Sequence, residues 1–110
     1  MARQARLQQL RASLVRGLAL AREGQGWQAL VQAEAALARE LPVLARAGHW
    51  TQAERPHWAR LCEVHAEART ACEEAMVDLQ ERLQTLGEQR EGWLAYALTS
   101  LQDPLEEAQP

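Results

Sequence analysis

Residues 58–86 read WARLCEVHAEARTACEEAMVDLQERLQTL, and this stretch decides the fold. Trp58, Leu61, His65, Ala68, Cys72, Ala75, Leu79 and Leu86 recur at heptad-like spacing, with Met76 and Leu83 beside them. A period near 3.5 lays these side chains along one stripe of an α-helix, whereas a half-buried strand would alternate at every second position. Neither Gly nor Pro occurs in the stretch, so nothing local stops the helix. Upstream, Thr51-Gln52-Ala53-Glu54 has the form of a capping box. Pro56 comes too late to be a first-turn proline of a helix capped at Thr51, so a short turn precedes a main helix that starts near Pro56.

Working further back, Trp27, Leu30, Glu34, Leu37, Leu41 and Leu44 form a second heptad seam. Pro42 interrupts or kinks this helix, and Gly48 ends it. Glu34 is the odd member of its apolar stripe. Left unpaired it is costly to bury, so it needs an arginine or another donor. It serves either as a register device or as a ligand contact. Glu23-Gly24-Gln25-Gly26 is a helix–helix turn, since no strand and no Gly-Lys-Ser/Thr accompany its glycines. Before it, Leu7, Leu10, Leu14, Leu18 and Ala21 define a first helix over 2–22. Arg6, Arg11 and Arg22 flank that stripe and suit acids on neighbouring helices.

Downstream, Gly87 and Gly92 weaken the pattern. Trp93, Leu94, Ala97, Leu98 and Leu101 then make a short fourth helix that Asp103-Pro104 closes. The reading is an all-α fold: an antiparallel bundle of three long helices with a short C-terminal fourth. It forms one domain over residues 1–101 with an acidic, disordered tail over 102–110.

Composition agrees. Ala, Leu, Gln, Glu and Arg dominate the 110 residues, while Ile, Phe, Lys and Asn are absent. The net charge of -3 lacks the basic excess of a nucleic-acid binder. No apolar run reaches the roughly 18–20 residues of a membrane span, and no secretory signal is present. Between Leu61 and Glu81 stand six acids and one arginine, Arg69, which complements the basic first helix. Cys62 and Cys72 are ten residues apart, roughly 15 Å along a helix, too far for a disulfide within it. Reduced thiols of this kind point to the cytoplasm.

No motif for catalysis stands in the sequence. Cys62 and His65 share a helix face, with Cys72 farther along, but a zinc site needs further ligands from His49, His57 or a carboxylate elsewhere. No cofactor or metal is expected. A Cys–His nucleophile needs an orienting third group and an oxyanion hole, which no motif supplies. Glu34 with His65 is the one pair an enzyme could use, and the chain is read as no enzyme. Trp27, Trp50, Trp58 and Trp93 lie near helix ends or turns, where each either anchors the bundle or lines a partner groove.

Taken together, Trp27-x-x-Leu30-x-x-x-Glu34 after a helix-breaking glycine, the long helix containing LQERLQTL (79–86), and Ala95-Tyr96 in a terminal helix resemble the FliT family of bacterial flagellar export chaperones. The resemblance covers residues 18–97, and the chain departs from the family pattern at Pro42, Pro56 and its arginine-only basic residues. It implies a cytoplasmic helical bundle that binds the C-terminal part of the filament cap protein and contacts the export ATPase complex. Some members also bind the flagellar transcription regulator. It implies a cover role for the terminal helix, here Trp93, Leu94, Tyr96 and Leu98. The groove beneath is expected from Val31, Leu37, Leu41, Met76, Leu79 and Leu83, where methionine adapts to varied partners. The alternative is a non-flagellar helical-bundle homodimer, a structural or adaptor module whose seam uses the same leucines.

Overall fold

The computed structural model describes residues 2–107, with side-chain surroundings through residue 101. The described residues form three helices and no strand: α1 (Ala2–Arg22), α2 (Gln28–Ala45) and α3 (Arg55–Glu107). The chain divides into two compact units, Met1–Cys72 and Glu73–Pro110. The first contains α1, α2 and residues 55–72 of α3; the second contains the rest of α3.

Unit 1 is a three-helix bundle. Its core is Leu7, Leu10, Leu14 and Leu18 of α1, Leu30, Ala33 and Leu37 of α2, and Leu61 and Ala68 of α3. The four α1 leucines follow the spacing read from the sequence, and removing them from water is the main favourable contribution to this unit. α1 and α2 run antiparallel. Arg6 near the start of α1 pairs with Glu40 near the end of α2, while Gly17 meets Leu30 farther along. α3 starts at the end of the bundle where α1 starts, with Gln4 Nε2 3.1 Å from His57 Nε2.

The helix ends have local causes. α1 closes in a Schellman arrangement: Gln25 N–H donates to Leu20 O at 2.9 Å and Gly24 N–H to Ala21 O at 3.1 Å. Gly24 sits at φ 78°, a conformation that favours glycine. α2 runs through Pro42 to Ala45 without interruption, so the proline does not end the helix. Only three residues follow Pro42, so its missing N–H disturbs only the last turn. At the start of α3 the capping box is present: Thr51 N–H donates to Glu54 Oε1 at 2.8 Å, and Glu54 N–H to Thr51 Oγ1 at 3.2 Å.

Unit 2, as described, is one helical stretch. The separate fourth helix expected from Gly87 and Gly92 is replaced by continuous helix through both glycines. Neither has positive φ, and an interior glycine costs only about 1 kcal/mol relative to alanine, too little to end a helix by itself. Helical backbone also passes Asp103-Pro104 to Glu107. The disordered tail expected over 102–110 otherwise lies outside the described residues. Along this stretch Arg82 and Asp78 pair at 3.0 Å, and the Thr85 and Thr99 hydroxyls donate to the carbonyls of Glu81 and Ala95.

Candidate functional site

Two features stand out, one in each unit. In unit 2, Met76, Val77, Leu79, Leu83, Leu86, Trp93, Leu94, Tyr96, Leu98 and Leu101 are each more than half exposed. Met76, Leu79, Leu83 and Leu86 step by three and four residues, and Arg90, Trp93 and Ala97 continue the same stripe. Trp93 and Tyr96 meet edge to face, with centroids 6.4 Å apart. Contiguous apolar exposure on this scale is characteristic of an interaction surface.

In unit 1, α2 and the first turns of α3 enclose a pocket of about 310 Å³. Leu37, Ala38, Leu41 and Pro42 line it from α2, and Trp58, Leu61 and Cys62 from α3. Glu34 and His65 close one side. His65 Nδ1 lies 3.1 Å from Glu34 Oε1 and 3.0 Å from Oε2. A carboxylate only accepts, so Nδ1 is the donor in this contact. The odd carboxylate of the α2 stripe thus meets its partner at the edge of the bundle. Burial pushes the Cys62 thiol above its ordinary value, which disfavours the thiolate a nucleophile needs. Both cysteines are free.

The residues expected to line one groove fall in both units. Leu37 is a core residue, Leu41 is half-buried in the pocket wall, and Val31 is exposed. Met76, Leu79 and Leu83 lie on the exposed face of unit 2. Of the residues expected to form a cover, Trp93 continues the stripe and Leu94 and Leu98 border it, while Tyr96 falls on the other flank; all four are exposed. Trp27 stands just before α2 and Leu30 is buried against α1.

A third cluster is structural and was not anticipated. Arg3 donates from Nε to Glu54 Oε2 at 2.7 Å and from Nη2 to Glu54 Oε1 at 2.6 Å. It also reaches the carbonyls of Leu44, Gly48 and His49 at 3.1, 3.0 and 2.8 Å. Its guanidinium lies 4.6 Å from the centre of Trp50, which stacks on Trp58 at 5.1 Å. Arg3 and Arg6 therefore find their acids at Glu54 and Glu40, not in the acidic stretch of α3. The capping box marked Glu54 in the sequence, but nothing local connects it to Arg3.

Among the described residues, no group of three or more His, Cys, Asp or Glu is placed to hold a metal ion. No described helix is long and apolar enough to cross a membrane. Comparison with protein-family models, curated proteins and solved structures finds no match to this chain.

Proposed function

We propose that the chain is a non-enzymatic protein-binding module, and specifically a cytoplasmic flagellar export chaperone. In this reading the apolar face of unit 2 takes an amphipathic helix from the C-terminal part of the filament cap protein. The observation that carries the reading is the row of large apolar side chains from Met76 to Leu101, each more than half exposed. A partner helix with matching three-and-four spacing would bury them. Glu73, Glu74, Asp78, Glu81, Glu88 and Glu91 outnumber Arg82 and Arg90 over this stretch, so the flanks suit a basic partner. The chaperone assignment itself rests on the resemblance of residues 18–97, as do the export ATPase complex and the transcription regulator as further partners.

The homodimer is the second reading, and the same stripe favours it. Arg90 weighs against its parallel in-register form, because each Arg90 would face its own copy across the seam, and a polar seam residue helps set which partner is accepted. A cover role for Trp93, Leu94, Tyr96 and Leu98 requires α3 to part at Gly87 and Gly92, giving the short fourth helix.

Pull-down of the cognate cap protein with the full chain and with a version ending at Glu91 tests both parts. Enrichment of the cap protein is expected, stronger with the truncation. Equal or weaker recovery by the truncation removes the cover role, and recovery of this chain alone replaces the chaperone with the homodimer.

A further inference from the structure

The unit 1 pocket has a chemical bias independent of the protein-binding face. Its floor is apolar, formed by Leu37, Leu41 and Leu61, with the Trp58 indole beside them. Its one carboxylate is Glu34. Glu34 receives the His65 Nδ1 proton at 3.0–3.1 Å and keeps further lone pairs. Pro42, one turn beyond Ala38, has no N–H to give the Ala38 carbonyl. The Glu34 carboxylate stands at the pocket edge, its side chain 32% exposed.

We propose that this pocket binds a compact organic ammonium ion, its apolar body against the leucines and Trp58 and its N–H groups toward Glu34. A volume of about 310 Å³ lies at the small end of the roughly 300–1,000 Å³ typical of ligand pockets. It suits a single ring or short alkyl chain. An ammonium supplies further donors for the Glu34 carboxylate, and an aromatic face attracts cations. An anionic ligand would face the Glu34 carboxylate, and a purely apolar one would make no use of it.

Calorimetric titration of the full chain with 2-phenylethylammonium and with neutral 2-phenylethanol tests the assignment. The ammonium is expected to saturate and to bind at least about tenfold more tightly than the alcohol. Glu34→Gln keeps the shape and removes the charge, so it should abolish the preference while leaving alcohol binding unchanged. Ala38→Leu narrows the pocket without touching Glu34 or His65, and should weaken both ligands. In a Cys72→Ala background, bound ammonium should slow alkylation of Cys62. Failure of the ammonium to saturate, equal affinity for both ligands, or unchanged ammonium binding in either variant would overturn the proposal. None of these readouts depends on a protein partner.

Discussion

Arg3 gives each of its five N–H donors an acceptor, two on Glu54 and three on carbonyls at the end of α2 and just beyond it. One planar fork thus joins the start of α1 to the α2–α3 connection, a geometry lysine cannot reproduce. The Arg3 hydrogen bonds, followed by that of the Thr51 N–H, hold the Glu54 carboxyl at about 2, below its usual 4.5. A carboxyl depressed on folding stabilises the folded state fully above about pH 4.5 and loses that contribution as pH falls through about 2. Glu54→Gln should therefore lower Tm at neutral pH and flatten its fall across that acid window, as thermal melts at stepped pH would record. Gly17 is the second decisive residue. An added Cβ would stand 2.6 Å from Leu30 Cα, in the backbone of α2. Gly17→Ala gains about 1 kcal/mol of helix propensity, but the clash can be relieved only by moving one helix from the other. A net loss of about 1–3 kcal/mol is expected in urea unfolding. The stripe of Leu7, Leu10, Leu14 and Leu18 was legible because its period is local. Gly17 and Arg3 were not, because their roles depend on chain that returns from Leu30 and Glu54.

At the scale of the element, α3 carries two kinds of surface in succession. Up to Ala71 its stripe packs into a core through Leu61 and Ala68; from Met76 its large apolar residues are exposed. The sequence showed one pattern throughout, since periodicity records amphipathicity without saying what covers it. It also overweighted Gly87 and Gly92, which weaken a helix without ending it. Neither has a neighbour within 4 Å of an added Cβ, so alanine fits at both. Gly87→Ala with Gly92→Ala should raise local helix stability by about 1 kcal/mol per site, slowing amide exchange over residues 85–95. Unchanged exchange would mean that the glycines are not the weak point a parting helix needs.

For the whole molecule, the two units divide the work: unit 1 holds a core and a pocket, and unit 2 displays an uncovered apolar helix face. The pocket was only half legible. Glu34 stood out as a carboxylate in an apolar stripe that needed an arginine or another donor, and His65 was legible beside it only as a pair an enzyme could use. Their meeting at 3.0–3.1 Å required the packing of α2 on α3. For the exposed face, the most direct measurement is the affinity of the cognate cap protein's C-terminal segment for the full chain and for Leu79→Asp with Leu83→Asp, both positions exposed. The account predicts saturable binding that weakens at least about tenfold in the double variant, with the fold unchanged by circular dichroism. No binding by the unaltered chain, or equal binding by both, would contradict it.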